Sequence, residues 1–182
     1  MRSKETRTSA PCQRWDARRV CGALTAVLCC LIAAHTVMGG LSLVFDIPRA
    51  LKPVVWVGVA LLVGHILICI VTSFQMMTDA VRPPSRKKKR HLVLKWVTGA
   101  LVVATAAAHV IGRAWTDVPA DAPAALVLSA ALAAFAAWHA CVGAKSLLKD
   151  LDIDRRYRTL VRAVAIAVAA FAALAAVCTL GL

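Results

Sequence analysis

Four histidines are the residues of this chain best suited to chemistry, because each one lies within a long apolar stretch. They are His35, His65, His109 and His139. His65 follows His35 by 30 residues, and His139 follows His109 by the same number. A neutral imidazole nitrogen can bind a transition metal, including haem iron, and imidazole can also relay protons. The equal spacing indicates that the four histidines act as a set.

The elements that must position these histidines are membrane helices. Apolar residues make up 60% of the 182 residues, and the mean hydropathy is +0.74, which is typical of a membrane protein. Five runs reach the roughly 20 residues that are needed to cross a bilayer. We predict an all-α integral membrane bundle with a basic segment at 1–19 and one transmembrane domain at 20–182. Its five helices are expected at about 20–45, 54–77, 92–115, 122–148 and 160–182.

An internal repeat relates the first two helices to the next two. An offset of 74 residues superposes Ala33-Ala34-His35 on Ala107-Ala108-His109. Helices one and two therefore resemble helices three and four. The fifth helix is rich in alanine, contains no histidine and lies outside the repeat.

The charge distribution reports membrane topology. The chain has 22 Lys+Arg against 9 Asp+Glu, but the basic residues lie in short segments between apolar runs, which argues against a nucleic-acid binder. Three basic segments are expected on the cytoplasmic side, so the N-terminus is predicted to be cytoplasmic and the C-terminus external, in a cytoplasmic (inner) membrane. The first run is longer than the 7–15 residues of a typical signal-peptide core and is read as a retained anchor. The three segments contain Arg14, Arg18 and Arg19; then Arg82, Arg86, Lys87, Lys88, Lys89 and Arg90; then Lys149, Arg155, Arg156 and Arg158.

Depth groups the histidines into two pairs. At a rise of about 1.5 Å per residue, His35 and His109 lie roughly 9–15 Å from the external ends of their helices, and His65 and His139 roughly 14–18 Å from the cytoplasmic ends. Two imidazoles at one depth on facing helices can bind a b-type haem from both sides. Small residues beside each histidine leave space for a porphyrin. Two such haems are expected; one haem, or a metal, proton or structural role, are the alternatives.

The cysteines exclude covalent attachment of that haem. None of the seven cysteines belongs to a C-x-x-C pair, and the chain has no C-x-x-C-H motif. A c-type haem is therefore ruled out, and most of these thiols are interpreted as small apolar side chains.

Two further patterns resemble a known family. Thr98-Gly99 precedes His109 in helix three, and His139-x3-Gly143-x6-Asp150 ends helix four. The first is similar to an [ST]-G-x9-H pattern, and the second to H-x3-G-x6-D. The first pattern is found in the cytochrome b membrane subunits of succinate dehydrogenases and fumarate reductases, and the second in the related small anchor subunits. The chain resembles the single-chain form of these cytochrome b subunits, with five helices and two haems. Helix two differs, with Cys69 rather than glycine four residues after its histidine.

The resemblance implies a function. In that family one haem is held by the histidines of helices one and three, and the other by those of helices two and four, which is also the pairing that depth gives. The resemblance implies flavoprotein and iron–sulfur subunits on the cytoplasmic face and quinone as the reactant in the membrane. Arg113, one turn after His109, could pair with a haem propionate or be an ordinary interfacial arginine. The chain has no dinucleotide-binding fingerprint and no iron–sulfur cysteine set, so we do not expect it to oxidise a dicarboxylate alone.

Three other functions remain open at this point. One is the cytochrome b subunit of a formate dehydrogenase or hydrogenase. Another is a membrane protein that uses its histidines to move protons or metal ions, although its helices offer few carboxylates or amides to line a path. The third is a structural anchor that has lost its haems.

The predicted topology can be tested with reporter fusions. A reporter fused after Leu182 should be external, whereas one inserted between Lys88 and Lys89 should be cytoplasmic, because basic loops resist translocation. Reporter activity on the same side for both fusions would contradict the five-helix topology.

Overall fold

The computed structural model describes residues 12–45, 52–78, 85–114 and 119–181, and these residues form a bundle of five α-helices. Each helix contains a stretch long and apolar enough to cross a membrane, so the chain is a multi-pass membrane protein. The predicted all-α five-helix bundle is confirmed. The helices are α1 (Cys12–Phe45), α2 (Lys52–Met77), α3 (Arg86–Ala114), α4 (Pro123–Asp150) and α5 (Arg158–Leu180), with a 3₁₀ turn at Arg155–Tyr157 between the last two.

Two helices begin earlier than the apolar pattern predicts. α1 begins at Cys12, whereas the prediction began at residue 20, and residues 1–11 of the basic segment lie outside the described residues. α3 begins at Arg86, six residues before its apolar run. Ser85 caps α3, because its hydroxyl accepts from the backbone N–H of Lys88 at 3.4 Å. Lys and Arg are good helix formers, so the basic run continues the helix beyond the membrane.

The start of α4 and the end of α5 carry standard helix start and stop signals. α4 begins at Pro123, where a missing N–H leaves no helical hydrogen bond unmade. α5 ends at Leu180, and Gly181 directly after it adopts a left-handed conformation with φ of 71°. Both positions lie within one residue of the predicted start of α4 and two of the predicted end of α5.

The centre of the bundle is formed by α1 and α4. α4 packs against α1, α3 and α5, and α1 packs against α2, α4 and α5. α2 packs along α1. α1 and α3 are not among the helix pairs whose described backbones pack closely. Groups on α1 and α3 therefore meet through long side chains.

Glycines on α1 allow two of these close approaches. A Cβ atom added to Gly40 would lie 2.6 Å from Cε1 of Phe171 on α5. A Cβ atom added to Gly22 would lie 3.2 Å from the backbone carbon of Asp150 at the end of α4. Small residues at such contacts let membrane helices gain van der Waals packing, which is the main attraction between helices in lipid.

The basic segments share one end of the bundle. The guanidinium of Arg19 lies 3.7 Å from the carboxylate of Asp152, which joins the start of the membrane part of α1 to the α4–α5 connection. Near the same end, Lys95 on α3 donates a hydrogen bond to Ser146 on α4. The exposed Arg19–Asp152 pair adds little stability. The pair does show that these two segments lie at the same end of the bundle. The predicted topology requires both segments on one side of the membrane.

Gly40 and its neighbour Gly39 provide a matched test of the α1–α5 contact. Gly40→Val should lower the free energy of unfolding by about 1–3 kcal/mol, the usual cost of overpacking. Gly39→Val should cost less, because a Cβ atom at Gly39 meets no atom within 4 Å. The measurement is reversible unfolding in mixed micelles. Phe171→Ala should restore part of the loss in the Gly40→Val background, and equal losses at both glycines would contradict the packing.

Candidate functional site

The four histidines lie well inside four different helices. His35 is on α1, His65 on α2, His109 on α3 and His139 on α4. His35 is exposed on the bundle surface, and the other three are partly buried. The fifth histidine, His91, lies exposed among the basic residues at the start of α3 and is separate from this group.

His35 and His109 form the pair that depth places nearer the predicted external side, and this pair is called the outer level; His65 and His139 form the inner level. Their ring centroids are 6.5 Å apart, and the ring planes are inclined at 82°. The backbones of α1 and α3 do not pack closely, so the two imidazoles reach towards each other across a gap between helices. Ser129 of α4 contacts the ring of His109, because its hydroxyl oxygen lies 3.3 Å from Nδ1 of that histidine.

The inner level contains His65 and His139, which are close enough to interact electrostatically. The hydroxyl oxygen of Thr98 on α3 lies 2.9 Å from Nδ1 of His139. Thr98 is fully buried, with 0% of its surface exposed. A hydroxyl in that position gives the imidazole a partner where no water reaches it.

The Thr98-Gly99 pair serves a different histidine from the one that the sequence pattern suggests. The pattern relates the pair to His109 on the same helix, but both residues contact His139 on α4. A Cβ atom at Gly99 would lie 3.3 Å from Cε1 of that ring and 3.7 Å from its Nδ1. Thr98 therefore holds the ring by a hydrogen bond, and Gly99 leaves the room in which the ring lies.

The equivalent contact in the first half of the chain involves Thr25. Its hydroxyl oxygen lies 3.1 Å from Nδ1 of His65. Thr25 precedes Thr98 by 73 residues, close to the 74-residue offset that relates the histidines. The two contacts thus occupy corresponding places in the proposed repeat, each joining the first helix of a half to the histidine of the second.

Cys69 makes the two halves different. Its sulfur lies 3.5 Å from Nε2 of His65, one turn earlier on α2. The Cys69 side chain also lies near that of Cys21 on α1. The residue that replaces glycine in the sequence comparison therefore lies against the second nitrogen of this histidine.

Sequence reasoning missed Thr25 and Ser129. A signal for Thr25 exists, because a threonine stands ten or eleven residues before the histidine in both helix one and helix three. Ser129 has no such counterpart in the first half. Its contact depends on how α4 is rotated against α3, and spacing along one helix does not report that rotation.

Charged residues flank the two levels. Arg113, for which the sequence leaves a haem propionate partner or an ordinary interfacial role open, lies in the last turn of α3 and interacts electrostatically with His109. Lys95 lies one turn before Thr98 and interacts electrostatically with both inner histidines. Among the described residues, a cation therefore lies near each of the two levels.

Paired imidazoles offer nitrogen donors of the kind that transition metals accept. Among the described residues, no group of three or more His, Cys, Asp or Glu side chains is arranged to hold a metal ion. Paired imidazoles suit a ligand that supplies its own equatorial donors, which is what a porphyrin does for iron.

Comparison with known proteins identifies no relative. The chain matches no protein-family model, no curated protein and no solved structure.

The role of Gly99 can be tested against its neighbour. Gly99→Leu should displace the imidazole of His139, shift its NMR resonances in histidine-labelled protein and lower the free energy of unfolding by about 1–3 kcal/mol. Ala100→Leu is the control, because Ala100 is exposed on the same helix turn. Unchanged His139 resonances in Gly99→Leu would show that the glycine does not make room for the ring.

Proposed function

We propose that this chain is a membrane-anchoring cytochrome b subunit. It relays electrons through two b-type haems between membrane quinone and a cytoplasmic dehydrogenase with flavoprotein and iron–sulfur subunits, of the succinate dehydrogenase or fumarate reductase type. His35 and His109 bind one haem iron, and His65 and His139 bind the other.

The geometry of the outer pair carries the proposal. Two imidazoles that bind one metal ion from opposite sides, with metal–nitrogen bonds of about 2.0–2.1 Å, have ring centroids about 6.4 Å apart. The observed separation for His35 and His109 is 6.5 Å. The histidines approach to this distance from helices that are not among the closely packed pairs.

The inner pair supports the same reading through its hydrogen bonds. His65 and His139 each have a threonine hydroxyl at Nδ1, which leaves Nε2 as the nitrogen for a ligand. Histidines that bind metals usually make such a bond through their other nitrogen. At His65 the Cys69 thiol, 3.5 Å from Nε2, has to turn away before that nitrogen can bind iron.

Two levels of histidine suit transfer across a membrane. The hydrocarbon core is about 30 Å thick, so one redox centre near either surface leaves a long gap to the other. When bound, each haem supplies an iron that gains and loses one electron. The four histidines would supply nitrogens to hold the haems, and the helices would exclude water and place a cation near each level, all of which tune a redox potential.

The basic end of the bundle suits the dehydrogenase partner. In the described residues this end presents the start of α3 and the α4–α5 connection to the aqueous phase, both rich in Lys and Arg. An acidic surface on an iron–sulfur subunit would complement it, because complementary charge speeds and orients association. With this end cytoplasmic, electrons pass between that subunit and the inner level.

Haem binding tests the proposal directly. The purified chain should give a b-type reduced-minus-oxidised spectrum, with two haems per chain that acid–acetone extracts, as expected for haem without covalent attachment. His35→Ala and His109→Ala should each remove one component of a redox titration, and His65→Ala and His139→Ala the other. Loss of either axial nitrogen leaves the iron one ligand short.

His91→Ala is the matched control for these variants. It removes an exposed histidine of the same chain and should leave both components in place. A haem ratio near zero in the wild-type chain would contradict the proposal and favour transport or structural roles for the histidines. A different result would show that each haem is held within one repeat. In that case His35→Ala and His65→Ala would lose the same component, and His109→Ala and His139→Ala would lose the other.

A further inference from the structure

Three hydroxyl groups contact the same nitrogen of three different histidines. The contacts join Thr25 to His65 at 3.1 Å, Thr98 to His139 at 2.9 Å and Ser129 to His109 at 3.3 Å, and each ends on Nδ1. In every case the hydroxyl belongs to a neighbouring helix. The shared choice of Nδ1 requires an explanation, because an imidazole has two nitrogens that can accept or donate.

Each hydroxyl already donates its only proton to a backbone carbonyl of its own helix. Thr25 donates to the carbonyl of Cys21 at 2.7 Å, and Ser129 donates to the carbonyl of Ala125 at 2.8 Å. Thr98 donates to the carbonyl of Leu94 at 2.9 Å. These are bonds to the carbonyl four residues earlier, a common arrangement for Ser and Thr in helices.

The direction of the hydrogen bonds between the hydroxyls and Nδ1 follows from these bonds to the carbonyls. A hydroxyl whose proton is donated elsewhere has only its lone pairs left, so it can only accept. The Nδ1 atom must therefore carry the proton and donate it. A neutral imidazole protonated on Nδ1 has its lone pair on Nε2.

We propose that these three hydroxyls are positioning groups, each holding its histidine as the Nδ1–H tautomer and leaving Nε2 as the nitrogen that binds iron. The tautomer is inferred from the hydrogen bonds alone, whereas the role towards iron rests on the proposed function. The hydroxyls fix the ring orientation before haem binds and raise the basicity of Nε2 afterwards.

Thr98 is the best position for a test, because it makes the shortest of the three contacts and is fully buried. Thr98→Val keeps the shape of the side chain and removes the hydroxyl. Thr98→Ser keeps the hydroxyl and serves as the rescue variant. Thr105→Val is the matched control, because Thr105 lies on the same helix and donates to the carbonyl of Leu101, and it has no histidine contact among the described hydrogen bonds.

The first measurement needs no haem. In haem-free full-length protein from a haem-deficient host, 15N spectra of labelled histidine should show His139 protonated on Nδ1. Thr98→Val should convert this signal to a mixture of tautomers, while Thr98→Ser and Thr105→Val should keep it. Protonation on Nε2 in the wild-type protein, or an unchanged spectrum in Thr98→Val, would overturn the assignment of the hydroxyl.

The second measurement uses the haem-loaded protein. Thr98→Val should lower the affinity for the inner haem by about 10–100-fold, the usual effect of losing a partner of a metal-bound histidine. It should also move the midpoint potential of that component upward, because a less basic Nε2 stabilises oxidised iron less. Thr98→Ser should restore both values, and Thr105→Val should change neither.

The two proposals fail in different ways. Two haems in the wild type, with unchanged affinity and potential in Thr98→Val, would overturn the positioning role and leave the cytochrome intact. Absence of haem from the wild type would overturn the proposed function, and the tautomer measurement on haem-free protein would still decide what the hydroxyl does.

Discussion

The fold of this protein depends on the absence of water inside a bilayer. A polar side chain buried among membrane helices has to find its partner in another side chain or in the backbone, since an unsatisfied polar group there is costly. Thr25, Thr98 and Ser129 each meet that requirement twice, with one bond to their own helix and one to a histidine on the next. The interhelical bonds fix the rotation of α1 against α2 and of α3 against α4. The same bonds determine which imidazole nitrogen remains available.

Close packing at the centre and a gap beside it arise from the same distribution of small residues. Gly22 and Gly40 bring α1 against α4 and α5, which places α1 and α4 side by side as the axis of the bundle. α2 and α3 then lie at the flanks, held to that axis. The histidines of α1 and α3 meet across the remaining space, so the site depends on glycines that lie far from it along the chain.

The sequence predicted the elements well and the contacts between them less well. Hydropathy located all five helices, and the errors at α1 and α3 arose because Lys and Arg continue a helix beyond the membrane as readily as Leu does within it. Depth along each helix predicted which histidines share a level, and the rings of one predicted pair, His35 and His109, lie 6.5 Å apart. Rotation around each helix axis was out of reach, because alanine-rich helices are apolar on every side and show no preferred face. The pairing of Thr98-Gly99 with His139, and the contribution of Ser129, both depend on that rotation.

The difference between the two halves bears on the proposed inner haem site. At His139, Thr98 holds Nδ1, and Gly99 leaves the ring its space. At His65, Thr25 supplies the same kind of bond, but the sulfur of Cys69 lies 3.5 Å from Nε2. On the proposed function, binding at the inner level would include a rearrangement of the Cys69 side chain on α2, the helix that packs mainly on α1. The free energy of that rearrangement would be subtracted from the affinity for the proposed inner haem. At the outer level Ser129 lies against His109, whose ring is 6.5 Å from that of His35, so the rearrangement of Cys69 is specific to the proposed inner site.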